Sequence, residues 1–362
     1  MMAEITPPDP QTTETGTARY LLGMAVGFAV LLAVLLALPF NRYIAAQRAA
    51  GSEMFHARWV YERIHFDPAP IDVAIIGSSR MESGISPSLL QQLLSAKAGR
   101  TVHVANLSVV QAGRDYHDLL VHDLLNAHPE VRLLVLADDG FMVYSHPMFQ
   151  EMASPGQIAA APLLVNKFYF TNLLAVPYRN LLNAAGQVAP GWFGVDRNFR
   201  PAAYLGTGLD RTLGYRLPDG HWRNGNATMP LAQMQARAQA NLATQNRFTI
   251  SHLPFLPEEM QLAIDHHYMQ SIADLARQRH VALAFVGLPM FGPADLPRNP
   301  RYFSRFGPDF LPTAWRNDAA LYQDDTHLNR AGAILATRYL ADQLAGLIPP
   351  ARPATQGTTH GR

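Results

Sequence analysis

An aspartate and a histidine three residues apart lie near the C-terminal end of the sequence. The segment YQDDTHLNRAGA, residues 322–333, contains Asp324 and His327 in the spacing D-x-x-H. A carboxylate in this position can accept the Nδ1–H of the histidine within one tight turn, which fixes the tautomer and leaves Nε2 as a general base. The spacing favours Asp324 as the partner, and Asp325 is the alternative. Such a base predicts a nucleophile elsewhere in the chain.

The candidate nucleophile lies far earlier, in IDVAIIGSSRMESGISPSLL, residues 71–90. A short apolar strand leads directly into Gly77, Ser78 and Ser79, and a helix is predicted to follow. A lone Gly-Ser-Ser is usually an ordinary turn, but the distant D-x-x-H pair gives it a possible base. We predict Ser79 as the nucleophile because it lies on the helix side of the turn. Ser78 is the alternative.

These two stretches and two between them resemble the blocks of the SGNH hydrolases, the GDSL-like lipases and esterases. The blocks of that family are strand-G-D-S, N-x-x-x-x-G, G-x-N-D and D-x-x-H-x-N. The matching stretches are GSS at 77–79, NLSVVQAG at 106–113, LADD at 136–139 and DDTHLN at 324–329. The resemblance covers roughly residues 70–145 and 255–347. It implies an α/β fold, the SGNH-type three-layer sandwich with a central parallel sheet, and a triad of Ser79, His327 and Asp324.

The resemblance also implies an oxyanion hole. The backbone N–H of Ser79 and an amide near Gln111 or Gly113 would contribute to it. The asparagine donor of the third block is replaced by Asp138 or Asp139. An ionised carboxylate there would repel the developing charge, and losing a donor alone costs about 3–4 kcal/mol. Either the hole uses backbone amides only, or the aspartate faces elsewhere.

The serine at position 78 is similar to the membrane-anchored branch of the superfamily, which includes proteins of teichoic-acid D-alanylation and of alginate and cellulose O-acetylation. This resemblance implies a serine acylesterase or O-acyltransferase that acts on acyl esters, such as acetyl esters, of an exported polysaccharide. It also implies a partner, either a multi-pass membrane O-acyltransferase or a polysaccharide synthase complex. The alternative is a catalytically weak scaffold that binds glycan or assembles a secretion complex.

A run of 21 residues without a charge, Tyr20 to Phe40, predicts an uncleaved membrane anchor. One arginine precedes this run, whereas Arg42, Arg48 and Arg58 follow it. By charge alone the large domain would stay in the cytoplasm, as a cytoplasmic lipase would. The resemblance instead implies a bacterial inner-membrane protein, single-pass, with a periplasmic domain.

The elements that position the candidate site are alternating strands and helices, which favour a parallel sheet. Residues 146–255 interrupt this alternation. Within them Pro218, Asp219 and Gly220 predict a hairpin, and the segment is expected to form an insertion over the C-terminal edge of the strands. The predicted organisation is a disordered tail at 1–18, an anchor at 19–41, a connector at 42–70, a catalytic domain at 71–145 and 256–348, the insertion at 146–255, and a disordered tail at 349–362.

Composition excludes several classes of site. The chain has no cysteine, which removes disulfides, thiolate nucleophiles and Cys-ligated metals, and its net charge of +1 without a basic run gives no indication of nucleic acid. No metal or cofactor is predicted, because the adjacent His266 and His267 point apart on a helix. Arg80, beside the candidate nucleophile, is a weak candidate for binding substrate. The aromatic candidates for stacking on sugar rings, with a hairpin core as the alternative, are Trp192, Phe193, Tyr204, Tyr215 and Trp222.

Overall fold

Five parallel strands, in the order β2-β1-β3-β6-β7, form the central sheet of the computed structural model. The structure describes residues 10–139, 144–164, 166–196, 209–245, 255–293 and 300–348. The strands are β1 Val73–Ile76, β2 Val104–Asn106, β3 Leu133–Ala137, β4 Gly214–Arg216, β5 Trp222–Asn224, β6 Ala282–Val286 and β7 Asp309–Phe310. Strands β4 and β5 form a separate antiparallel hairpin. The predicted α/β class with a central parallel sheet is confirmed.

Helices account for most of the remaining described chain. They are α1 Pro10–Ala37, α2 Arg42–Ala49, α3 His56–His65, α4 Ser79–Gly84, α5 Pro87–Ala98, α6 Arg114–Ala127, α7 Pro147–Met152, α8 Pro155–Ala160, α9 Tyr169–Val188, α10 Leu231–Gln245, α11 Glu258–Gln261, α12 Ala263–Arg279, α13 Pro300–Phe303 and α14 Arg330–Leu344. Short 3₁₀ turns cover Pro190–Phe193, Arg211–Leu213, Ala319–Leu321 and Ala345–Leu347.

The sheet separates two hydrophobic cores. In β1, Ala74 and Ile76 join the core that includes side chains of α3, α6 and α12, whereas Val73 and Ile75 join the core that includes α5 and α14. All four residues are fully buried. Strands covered on both faces have continuous apolar sequences rather than alternating ones, which explains the unbroken VAII before the candidate nucleophile.

Helix α5 begins and ends where its sequence predicts. The hydroxyl of Ser86 accepts from the backbone N–H of Leu89 at 3.2 Å, and Pro87 occupies the first helical position. Gly99 ends the helix in the left-handed region, with φ of 66°. These caps fix where α5 begins and ends.

The N-terminal helix extends beyond its predicted bounds. It begins at Pro10, inside the stretch predicted as a disordered tail, and ends at Ala37, before Pro39. Its segment Thr17–Ala37 has a mean hydropathy of 2.5, no burial against the rest of the chain, and enough length to cross a membrane. Within the described residues it is the only such helix. The connector after it folds into α2 and α3.

The insertion differs in part from its prediction. The hairpin of β4 and β5 forms around residues 217–221, as predicted. Most of the rest of its described part is helical. Helix α9 packs against the end of α1 instead of covering the strand edge, as the hydrogen bond from Asn180 Nδ2 to the carbonyl of Leu35 shows. Tyr204 and the predicted tail at 349–362 lie outside the described residues.

Candidate active site

Ser79 is the first residue of α4 and directly follows the turn after β1. Gly77 permits this turn, because a Cβ there would lie 2.6 Å from Met81 Cγ and 2.8 Å from Ala137 Cβ. The hydroxyl of Ser79 lies 2.8 Å from His327 Nε2. This is hydrogen-bonding distance between a nucleophile and a base.

Asp324 holds the other side of the His327 ring. The Nδ1 atom lies 2.9 Å and 3.0 Å from the two carboxylate oxygens, so the Nδ1–H donates to Asp324 and Nε2 is left to accept the serine proton. The backbone N–H groups of Thr326 and His327 both donate to Asp324 Oδ1 at 2.9 Å. Burial raises the pKa of Asp324, but the hydrogen bond and charge of His327 and these N–H groups outweigh it and hold the pKa well below its ordinary value. Asp324 is therefore ionised at neutral pH.

The loop that carries Asp324 and His327 is fixed by the start of α14. Asn329 caps this helix by accepting from the N–H of Gly332 at 3.1 Å, and its amide donates to the carbonyl of Ala320 at 2.7 Å. A Cβ at Gly332 would lie 2.2 Å from the carbonyl oxygen of Leu321. The asparagine and the glycine of the sequence motif therefore hold the base in place.

The two alternative residues have other partners. Ser78 caps α4 by accepting from the N–H of Arg80, and its hydroxyl donates to Asp139. Asp325 accepts from Asn241 Nδ2 at 2.8 Å and lies 3.6 Å from the guanidinium of Arg237. The structure thus brings Ser79 and Asp324, rather than Ser78 and Asp325, to His327.

The carboxylate of Asp139 is paired with a cation. Arg80 Nη1 lies 3.2 Å from Asp139 Oδ1, and both side chains are almost completely buried. Arg80 also donates to the carbonyls of Leu288 and of Thr326, the residue before the base. Arg80 therefore links three segments around the site and does not line its cavity. Asp138 is buried at the end of β3, where its N–H donates to the carbonyl of Val286 at 2.9 Å.

Of the two predicted oxyanion positions after β2, Gln111 lines a cavity together with Ser79. Its φ is 68°, a left-handed conformation that is uncommon outside glycine and that clusters at functional sites. Gly113 instead packs against His146, and a Cβ on it would lie 2.5 Å from His146 Cβ. As the first residue of α4, Ser79 carries one of the N–H groups that have no acceptor within the helix.

The cavity at Ser79 has a volume of about 1070 Å³. The connector, the loop after β2 and the β4–β5 hairpin form its walls. Its lining residues are Gly51, Ser52, Glu53, Phe55, Ser79, Val110, Gln111, Tyr215, Leu217, Pro218, Asp219 and Arg223. Tyr215 is the predicted aromatic candidate on this wall. Trp222 lies in β5 with 58% of its surface exposed, and Trp192, 90% exposed, lies in the 3₁₀ turn after α9.

A buried polar network fixes the loop that carries Gln111. His146 Nε2 donates to the carbonyl of Val110 at 2.9 Å, and its Nδ1 accepts from the N–H of Met148 at 3.0 Å, so the ring is neutral. Burial lowers the pKa of His146 to about 4. Asp115 accepts from the backbone N–H of His146 and from the hydroxyl of Ser145, and burial raises its pKa to about 7.

Several residues of the site carried no signal in the sequence. Thr326 was visible only as a spacer in the motif, yet its hydroxyl lies 3.0 Å from Asp324 Oδ1 and 2.9 Å from His327 Nδ1. Glu53 and Phe55 belong to a connector that had no chemical motif. No group of three or more His, Cys, Asp or Glu side chains that could hold a metal ion occurs in the part of the chain that the structure describes.

No protein-family model matches this chain, and no curated protein matches it.

Proposed function

We propose that this chain is a membrane-anchored serine acylesterase or O-acyltransferase. The observation that carries the proposal is the continuous contact from Ser79 Oγ to His327 Nε2, at 2.8 Å, and from His327 Nδ1 to Asp324, at 2.9 Å. In this arrangement the serine attacks an acyl carbonyl while His327 takes its proton. The histidine then gives that proton to the leaving alcohol.

The acyl group is thereby held on Ser79 as an ester. Water releases it in an esterase, and a sugar hydroxyl takes it in a transferase. In each case His327 accepts the proton of the attacking hydroxyl and gives it to Ser79 Oγ as the ester bond breaks. The backbone N–H of Ser79 and an amide near Gln111 would hold the oxyanion. The ion pair with Arg80 supports a hole made of backbone amides, because the Asp139 carboxylate has its charge balanced and its own donors.

The proposed substrate is an acyl ester, such as an acetyl ester, of an exported polysaccharide such as cellulose or alginate. The cavity supports a polymer more than a compact lipid, since its walls carry the polar groups of Glu53, Asp219 and Arg223 beside the rings of Phe55 and Tyr215. Aromatic rings beside hydrogen-bonding groups suit sugar faces and hydroxyls. The apolar helix α1 supports a location in a membrane. From the resemblance of the sequence motifs we further propose that this is the bacterial inner membrane, that the domain lies in the periplasm, and that the partner is a multi-pass O-acyltransferase or a polysaccharide synthase complex.

A fluorophosphonate, which reacts with serines that a neighbouring base activates, tests the proposal without knowledge of the acyl donor. We expect the detergent-solubilised chain to be labelled once, on the peptide that contains Ser79, and to hydrolyse nitrophenyl acetate. Ser79→Ala should abolish both. The matched control is Ser83→Ala, one turn later on the same helix, where the hydroxyl donates to the backbone carbonyl of Ser79 at 2.9 Å and does not contact His327 Nε2 as Ser79 does.

Equal hydrolysis by Ser79→Ala and the unchanged chain, or labelling at another serine, would overturn the enzymatic proposal. The second candidate, a scaffold that binds glycan, would then be favoured. Its supporting observation is the aspartate in place of an asparagine donor at 138–139. Retained binding of a soluble acetylated glucan by Ser79→Ala would be its direct test.

A further inference from the structure

Helix α9 has its polar side buried and its apolar side exposed, the reverse of an ordinary surface helix. Four of its six buried residues are asparagine or arginine. The buried residues are Asn172, Val176, Arg179, Asn180, Asn183 and Gly186. The exposed stripe follows the helical repeat, with exposed fractions of 63% for Phe170, 77% for Leu174, 64% for Tyr178, 46% for Leu181 and 80% for Val188. Exposing such an apolar stripe to water is energetically unfavourable.

The polar side of α9 binds the chain where α1 ends. Asn180 Nδ2 donates to the carbonyl of Leu35 at 3.2 Å. In a regular helix that carbonyl would accept from the residue four positions on, but Pro39 has no N–H. A carbonyl without a donor is unfavourable wherever water is scarce, as it is toward the core of a bilayer. Asn180 therefore supplies the donor that the sequence of α1 lacks.

Three further hydrogen bonds, made by two residues of α9, extend this junction. Asn183 donates to the carbonyl of Asn41 at 2.7 Å and accepts from its N–H at 2.9 Å, and Gln187 donates to the carbonyl of Pro39 at 3.2 Å. The only charged residue of α9, Arg179, is buried, where its guanidinium donates to the carbonyls of Gln150 and Ala153. The outward face of α9 thus carries no charge.

We propose that α9 lies in the lipid interface, with its apolar stripe facing the acyl chains beside the end of α1. The occupant is lipid because α9 lies directly against the end of α1, a helix that is itself proposed to be surrounded by lipid. Asn180 contacts the last turn of α1, so α9 crosses at the level where the hydrocarbon ends. Tyr178 and Trp192 fit this level, since tyrosine and tryptophan concentrate at membrane interfaces. The proposal rests on the anchor of the proposed function but not on its chemistry.

A second membrane contact would restrict the orientation of the domain. A single span leaves the domain free to rotate about the span, whereas a helix lying in the interface fixes which side faces the lipid. Gly51 lines the cavity. The chain that joins Phe40 to Gly51 consists mainly of α2, a helix of eight residues whose length is about 12 Å. The interfacial helix would therefore hold the cavity close to the membrane surface, where an esterified chain emerging from a membrane partner could reach it.

The absence of cysteine allows a direct test with the full chain, since each introduced thiol is unique. Leu174→Cys, Leu181→Cys and Val188→Cys would each be labelled with an environment-sensitive fluorophore. The labelled protein would then be placed in nanodiscs of phosphatidylethanolamine and phosphatidylglycerol that carry nitroxide lipids. Val30→Cys in α1 is the reference for insertion. Leu335→Cys, an exposed leucine in α14 on the other face of the sheet, is the matched apolar control.

We expect headgroup-level nitroxides to quench the α9 labels several-fold more than the Leu335 label, with emission shifted to the blue. Nitroxides at mid-chain should quench Val30 most. Quenching of the α9 labels no greater than at Leu335 would overturn the interfacial helix, and the face would then be assigned to a protein contact. No quenching at Val30 would overturn the anchor and the interfacial helix together. Neither result depends on the activity of Ser79, so failure here is distinguishable from failure of the enzymatic proposal.

Discussion

The behaviour of His327 depends on one carboxylate and not on its neighbour in the sequence. Asp324 accepts the Nδ1–H, whereas Asp325, the next residue, is directed to Asn241 and Arg237. Of these two adjacent acids, only Asp324 contacts the candidate base, whereas Asp325 contacts α10.

Asp324→Asn should lower kcat for ester hydrolysis by about 100- to 10,000-fold, because an amide can donate to Nδ1 and so favour the wrong tautomer of His327. The matched change, Asp325→Asn, should leave kcat within a few-fold of the unchanged chain. Both are measured with nitrophenyl acetate, with Tm recorded to exclude unfolding. Similar losses in the two variants would contradict the assignment of Asp324.

The structure and the sequence motif lead to opposite predictions for a change of Asp139 to asparagine. Asparagine at the third block would be expected to restore an oxyanion donor. In the structure, however, Asp139 balances the buried Arg80 and accepts from Ser78. Asp139→Asn should lower the free energy of unfolding by about 1.5–3 kcal/mol and should reduce kcat.

The control for this change is Asp274→Asn, which breaks an exposed pair with Arg277 and should cost about 0–1 kcal/mol. Chemical denaturation and ester hydrolysis are measured on both. A rise in kcat for Asp139→Asn would show that the carboxylate opposes the oxyanion and that Arg80 does not offset it.

At the level of elements, the loop after β2 is held in place by a hydrogen bond from the start of α7. His146 is the N-cap of α7 and at the same time donates to the carbonyl of Val110, beside Gln111. The ring must be neutral to accept from Met148, and burial lowers its pKa to about 4 from an ordinary value of about 6.5. Between these values the unfolded chain binds a proton that the folded chain does not, so the stability that His146 contributes is complete above pH 6.5 and is lost as the pH falls toward 4.

Replacing His146 with glutamine, which keeps a donor and an acceptor, should therefore weaken the dependence of stability on pH. We expect the free energy of unfolding to fall less between pH 7 and pH 5 in His146→Gln than in the unchanged chain, by up to about 1.4 kcal/mol per pH unit. The raised pKa of Asp115 acts in the opposite direction, but it is present in both proteins. His221→Gln, at an exposed side chain, should keep the original slope. A slope in His146→Gln equal to the original would contradict the role of the neutral ring.

The elements that the sequence predicts well are those with local signals. The caps of α5, the turn of the β4–β5 hairpin and the apolar run of β1 each follow from a few adjacent residues. Two-residue β7 has no such signal, because it forms only against β6. The wall made by Glu53 and Phe55 depends on how the connector folds back over the strand edge, a long-range contact that no local pattern encodes.

The buried face of helix α9 is also not determined by the sequence pattern. Its apolar and polar residues have the helical repeat, but the repeat does not say which face is buried. In a soluble protein the apolar face would be predicted to pack inward. The inward face instead carries the asparagines that contact the end of α1, which only the three-dimensional arrangement reveals.

For the whole molecule, the side of the membrane on which the domain lies decides which substrates are accessible. The arginines after the span favour the cytoplasm by charge alone. In the folded chain each is close to a carboxylate: Arg42 to Asp123 at 2.6 Å, Arg58 to Glu62 at 2.7 Å and Arg48 to Glu151 at 3.8 Å. These pairs give the three arginines a role in the folded domain, separate from any role in setting topology.

We therefore expect the domain to lie in the periplasm, and the cysteine-free chain again allows a direct measurement. Gln278→Cys places one thiol on the exposed end of α12, and Glu4→Cys places one before the span. In spheroplasts, a membrane-impermeant maleimide should label Gln278→Cys at once and Glu4→Cys only after the membrane is disrupted. The opposite pattern would place Ser79 in the cytoplasm. An exported polysaccharide would then be out of its reach, even if the triad hydrolysed esters, so topology and chemistry are tested separately.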